Sequence, residues 1–179
     1  VLPVLVGRAT RLCSYILESD KRYVASVKLG ITTDTLDITG KVLTETTPKV
    51  TKEQLIDALK KFKGTISQVP PMYSAIRVDG KHLYDIAREG GEVERAAREV
   101  TIHKIELLSF SGDEFTIDVT CSKGTYIRTL ADDIGRALGC GAAMTALRRI
   151  ETAGFKIEDC TDPDIVKLDP EKYLLSPEL

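Results

Sequence analysis

The sequence predicts an α+β fold, a mixed, mainly antiparallel sheet with flanking helices. Three observations carry this expectation. "KRYVASVKLG" alternates, with Tyr23, Ala25, Val27 and Leu29 on one face and Arg22, Ser26 and Lys28 on the other, the pattern of a half-buried strand. "EVTIHKIELLSFSGDEFTIDVTCSKG" reads as two long strands folded about Ser111-Gly112-Asp113. Helical stretches then occur singly between strands, without the regular βαβ rhythm of a parallel sheet.

Taken in order, residues 5–18 set Leu5, Ala9, Leu12, Cys13 and Ile16 on one side and Arg8 and Arg11 on the other, which predicts an amphipathic helix. After the first strand, "TTDTLDITG" forms a loop and "KVLTET" returns as a partner strand. "TKEQLIDALKKFKG" is a well-marked helix: Thr51 caps it with Glu53 or Gln54 close behind, Leu55, Ile56, Leu59 and Phe62 make its core face, and Gly64 ends it. Beyond the double proline Pro70-Pro71, "RVDGKH" carries the Asp79-Gly80 signal of a tight hairpin, and "HLYDIAREG" is a short helix stopped by Gly90-Gly91. "EVERAAR" is polar enough for an exposed loop. "TYIRTLADDIGRALG" spaces Ile127, Leu130, Ala131, Ile134 and Leu138 as a second strong helix. "AAMTALRRIETAGFKIED" gives one or two strands, and "DPDIVKL" a short acidic helix.

The chain has 179 residues, 42% hydrophobic and 29% charged, which suits one globular domain with an appendage rather than a disordered chain. No apolar run approaches the ~20 residues that span a bilayer, and "VLPVLV" is too short for a signal sequence. Cys13, Cys121, Cys140 and Cys160 lie far apart, and His82 and His103 sit near none of them in sequence. The expectation is free thiols in a cytoplasmic protein, with no metal and no cofactor. Net charge is −2, yet residues 1–150 hold 22 bases against 19 acids, because the last 29 residues are acidic. Basic doublets at Lys21-Arg22, Lys60-Lys61 and Arg148-Arg149 give weak support for a polyanionic partner.

Four constellations carry candidate chemistry. In "SKGTYIRTLADD" a strand ends, a glycine turn follows and a helix begins near Thr125; helix-start amides with Lys123 and Arg128 suit an anion, and Tyr126 offers a stacking face. The competing reading packs Tyr126 in the core and pairs Arg128 with Asp132 one turn on. In "DKRY", Tyr23 is either a core residue or a second aromatic wall, with Lys21 and Arg22 reaching for phosphates. "ALRRI" offers apolar Leu147 and the doublet Arg148-Arg149, either solvated or on an RNA backbone. In "TTDTLDITG", Asp34 and Asp37 either form the turn through backbone amides or line a site. Phosphate-loop, dinucleotide-binding, zinc-protease and nucleophile-elbow motifs are all missing from the sequence.

Five stretches, "LPVLVGRATR", "DKRYVASVKLGITTDTLDITG", "PPMYSAIRVDGKHLYDIAREG", "CSKGTYIRTLADDIGRALGCGA" and "ALRRI", resemble the TruB family of tRNA pseudouridine synthases in wording and order, from Val1 to about residue 155. The resemblance implies a pseudouridine synthase-like domain over residues 1–155 and an acidic extension over 156–179. It implies cofactor- and metal-free isomerisation of the T-loop uridine of tRNA, position 55, through a flipped base. Matched to the family's motifs, Tyr23 is the active-site tyrosine, Arg128 the arginine that pairs with the catalytic carboxylate, and Tyr126 its aromatic neighbour. Leu147 packs against the uracil, Asp37 is a supporting polar residue, and Lys123, Arg22, Arg148 and Arg149 are candidate contacts to the RNA.

In that family the nucleophilic aspartate belongs to an H-x-G-x-L-D segment directly ahead of "VLPVLVGRATR". The expectation is therefore a catalytic domain that is inactive as supplied, acting as a monomer on the T arm of tRNA. The alternative is a non-catalytic RNA-binding or RNA-folding module.

Overall fold

After an extended start and a 3-10 turn over Gly7–Leu12, α1 (Cys13–Glu18) leads into β1 (Lys21–Leu29). The computed structural model describes residues 1–175. β2 (Ile31–Thr33) and β3 (Val42–Glu45) pair as a small ribbon, followed by α2 (Lys52–Lys61) and β4 (Gly64–Gln68). A two-residue hairpin of β5 (Arg77–Val78) and β6 (Lys81–His82) runs into α3 (Leu83–Arg88). β7 (Arg98–Ser111), β8 (Glu114–Cys121), α4 (Ile127–Ala137), β9 (Ala142–Thr152) and β10 (Phe155–Lys156) complete the sheet. α5 (Pro163–Val166) lies in the exposed acidic tail.

The strands form one antiparallel sheet in the order β10-β9-β1-β8-β7-β4, so β1 sits between β9 and β8. Its alternation fixes which face is buried. Ala25 stands opposite Ile117 and Val27 opposite Phe115, and all four are essentially inaccessible. α2 and α4 cover that face with Leu55, Leu59, Leu130, Ala131 and Ile134. Burying one such side chain is worth about 1.5–3 kcal/mol. α4 can lie this close to β9 because Gly135 has no side chain: a Cβ there would overlap the backbone nitrogen of Ala142. Asp79 and Gly80 both have positive φ, 51° and 82°, which gives the β5–β6 hairpin the primed turn its sequence signals.

Three expectations change. The amphipathic helix over 5–18 is instead extended to Val6 and 3-10 through Leu12, with no buried residue in either helical piece. Val1-Leu2-Pro3-Val4-Leu5-Val6 is too β-prone to start a helix, and Gly7 at φ 59° breaks the chain direction. Residues 64–68 form edge strand β4, which the sequence reading left out. Asp132 pairs with Arg136 at 2.8 Å rather than with Arg128.

Candidate functional site

Cross-strand register assembles the first wall of the site. Tyr23 stands opposite Arg149 and Ala25 opposite Leu147, with bulges in the β1–β9 pairing on either side of this stretch. Tyr23, Leu147 and Arg149 therefore share the face that carries the core, and Tyr23 packs against its edge. Leu147 is 44% exposed, an apolar side chain left open beside a half-buried tyrosine. The Arg149 Nε donates to the carbonyl of Val1 at 2.8 Å, and the Val1 amino group donates to the Arg149 carbonyl at 2.6 Å. Burial raises the Tyr23 hydroxyl above its ordinary value, while the Arg149 guanidinium beside it pulls the other way. At neutral pH Tyr23 is a phenol.

The loop from Asp34 to Gly40 forms the second wall and is bonded to the first. Ile38 N–H donates to the Met144 carbonyl at 2.8 Å, and Met144 N–H to the Leu36 carbonyl at 3.1 Å. Both aspartates build the turn. Asp34 Oδ1 accepts the Lys41 amide at 2.9 Å. Asp37 Oδ1 accepts the Thr39 amide at 3.0 Å and the Thr39 hydroxyl at 2.7 Å.

Arg128 on the first turn of α4 closes the cleft. Its guanidinium donates to the Tyr73 carbonyl at 2.7 Å and to the Thr35 carbonyl at 3.4 Å. Among the described residues it makes no ion pair within 4.0 Å. Tyr126, the N-cap of α4, has its N–H taken by the Gln68 side chain at 3.1 Å, so that helix-start amide is not free for an anion.

Other candidates are placed elsewhere. Arg22 alternates to the opposite face from Tyr23 and is held by Asp118 on β8, 2.9 Å from Nε and 2.5 Å from Nη2. That pairing lowers the Asp118 carboxyl and raises Arg22. Arg148, opposite Val24, shares this second face. Lys123 pairs with Glu18, and the Lys21 ammonium caps α1 through the carbonyls of Ile16, Leu17 and Ser19 at 2.6–3.2 Å. Gln68, Asp118 and Tyr73 were missed by sequence reasoning: Gln68 ends a short polar stretch with no strand signal, Asp118 is an isolated polar residue inside a strand-like run, and Tyr73 contributes only its backbone. Two concavities of about 480 and 320 Å³ flank α2, and none of the cleft residues lines either one. One is lined by aliphatic residues with Lys60, Lys63 and Glu106, the other by Lys49, Lys61, Gln54 and Asp57 with aliphatic neighbours, and neither holds an aromatic side chain or an arginine. The open cleft between β1, β9, the 34–40 loop and α4, which brings both together, is the better candidate.

An antiparallel sheet with such a cleft at the end of its central strands has clear structural counterparts. A chain in the crystal structure of a Cbf5-Nop10-Gar1 complex superposes with a TM-score of 0.67 at 29% identity, over 97% of this chain and 45% of that one. A chain in a structure of an H/ACA ribonucleoprotein bound to a substrate RNA containing 2'-deoxyuridine gives 0.63 at 26% identity, over 96% and 42%. The fold is that of the pseudouridine synthases. More closely, residues 1–127 match the N-terminal domain profile of TruB family pseudouridylate synthases, and residues 128–171 that of the tRNA pseudouridylate synthase B C-terminal domain; the chain belongs to the TruB family.

The tRNA pseudouridine synthase B of Chromobacterium violaceum is 52% identical over 99% of this chain and 59% of its own length. That of Azoarcus sp. is 55% identical over 87% and 52%. The chain thus spans between half and three-fifths of the length of these relatives. The join between the two profiles falls at the start of α4, inside a continuous sheet in which β1 pairs with strands from both sides.

Proposed function

We propose that this chain forms the uridine cleft of a tRNA pseudouridine synthase and binds the T arm of tRNA with the T-loop uridine flipped into it. The observation that carries the reading is the meeting of Tyr23, Leu147 and Arg149 on one sheet face with Arg128 across the 34–40 loop. An aromatic ring and an exposed leucine suit the two faces of an unstacked base, and two guanidiniums beside them suit its oxygens and the flanking phosphates. Family membership and relatives named tRNA pseudouridine synthase B support the same substrate class.

Chemistry follows from the protonation states. Tyr23 enters as a phenol, stacking on the base and donating a hydrogen bond. To take a proton from the ring carbon Tyr23 must first release its own phenolic proton to solvent, and Arg149 is the group that stabilises the phenolate oxygen which then accepts the carbon-bound proton. Asp37 holds the loop. Arg128, fixed by two carbonyls and unpaired by any described carboxylate, presents a charge to an anion. Since no described carboxylate opposes Arg128, we expect the 179-residue chain to bind the RNA without isomerising it. In the cell we place it in the cytoplasm as a monomer, with residues 1–155 as the synthase domain and 156–179 as an extension; no helix among the described residues is long and apolar enough to cross a membrane.

The test is to incubate the chain with a T-arm hairpin, map pseudouridine, and measure affinity against salt. Salt-sensitive binding without product is the expected result. Product would make Asp37 or Asp34 the suspect nucleophile, decided by Asp37→Asn; absence of binding would remove the proposal.

A further inference from the structure

Gln68 is 2% exposed, a polar side chain buried at the last position of edge strand β4. Its carboxamide spends both ends on one residue: Oε1 accepts the Tyr126 N–H at 3.1 Å and Nε2 donates to the Tyr126 carbonyl at 3.3 Å. Tyr126 is the N-cap of α4 and makes no side-chain cap hydrogen bond, and the glutamine takes from another strand the N-cap amide that an N3 glutamate or glutamine takes locally in a capping box.

The chain that leaves Gln68 leads to the same place. Arg95 Nη1 donates to the Pro70 carbonyl at 3.0 Å, and three residues further on the Tyr73 carbonyl accepts Arg128 Nη2 at 2.7 Å. A closed circuit results: Gln68 side chain to Tyr126, α4 to Arg128, Arg128 to Tyr73, and the backbone from Tyr73 to Gln68. Both ends of the Arg128 placement, its helix and its acceptor, are thus referred to one buried carboxamide.

We propose that Gln68 is a positioning residue for the base pocket, setting the first turn of α4 so that Tyr126 and Arg128 face the flipped uridine. This rests on the uridine-cleft reading above. Gln68 touches no substrate and acts only through Tyr126 and Arg128.

The experiment compares affinity for two T-arm hairpins, one with the uridine and one with an abasic site there, for the 179-residue chain and for Gln68→Met, Gln68→Glu, Arg128→Ala and Gln68→Met/Arg128→Ala. Thermal unfolding is recorded for each. The parent chain prefers the uridine hairpin. Gln68→Met cuts that preference by about tenfold, the worth of one hydrogen bond to a charged group, while abasic affinity stays within about twofold. Gln68→Glu, which keeps the acceptor for the Tyr126 amide, loses less and covers the case in which the methionine variant folds poorly. In the Arg128→Ala background Gln68→Met has no further effect on preference, which a merely structural role would not produce. An intact preference in either folded Gln68 variant, parallel loss on both hairpins, or additivity with Arg128→Ala would overturn the proposal. Absence of any preference in the parent chain would instead remove the uridine-cleft reading.

Discussion

Arg128 makes its hydrogen bonds to residues 93 and 55 positions away in sequence. Nothing in the local spacing of "TYIRTLADD" points to them, and spacing alone favours a one-turn pair with Asp132, which Arg136 takes instead. The family motif singles out the residue but not its partners, because they are backbone carbonyls on loops whose path only the fold sets. A guanidinium held by two separate carbonyls has a clear consequence. Arg128→Lys replaces a fork by a single ammonium that cannot serve both. It should lose about as much affinity for the uridine hairpin as Arg128→Ala, roughly tenfold by titration.

On the same helix, burial and then the neighbouring Asp132 push the Asp133 carboxyl up to about 6. Its folded value exceeds the unfolded one, so the fold binds more protons between about pH 4 and 6 and this residue makes it less stable as pH rises through that window. Asp133→Asn should therefore raise the melting temperature at pH 7.5 and leave it nearly unchanged at about pH 3, below both values. A uniform shift at both values would exclude titration of Asp133 as the cause.

Elements were read with uneven success, for identifiable reasons. α2 was legible because its cap is local: Thr51 Oγ accepts the Gln54 amide at 3.3 Å and Gln54 Oε1 accepts the Thr51 amide at 2.8 Å. Thr51→Ala should cost about 1 kcal/mol in denaturant unfolding. β4 was illegible because "GTISQ" is short, polar at alternate positions and ends against two prolines; its strand character comes from pairing with residues 98–102 of β7. The 5–18 segment misled because apolar residues in a β-prone stretch also fit a helical stripe.

The β1–β8 pairing corrects the role of Arg22. A one-residue step along the strand puts it on the opposite face from Tyr23, against Asp118, whose side chain is only 6% exposed. Arg22→Ala leaves that carboxylate without its partner and should destabilise by about 2 kcal/mol. It should leave the preference for uridine over an abasic site unchanged, because Arg22 lies outside the cleft. A lost preference with an intact fold would return Arg22 to the site.

At the scale of the whole molecule, composition said little about the partner. A net charge of −2 hides a basic excess in residues 1–150 behind an acidic tail, and the surface lysines are dispersed, several in pairs such as Lys60 with Asp57 and Lys104 with Glu106. The sheet does what composition cannot: it brings Tyr23, Leu147 and Arg149 from two strands to one face and sets the loop and α4 around them.

Placing the uridine in that cleft is a statement about contact, and contact is measurable. A T-arm hairpin carrying iodouridine in place of the T-loop uridine, irradiated with the chain and mapped by mass spectrometry, should cross-link to Tyr23, Leu147 or Arg149. Cross-links confined to the lysines of α2, or independent of the position of the iodouridine in the RNA, would contradict it.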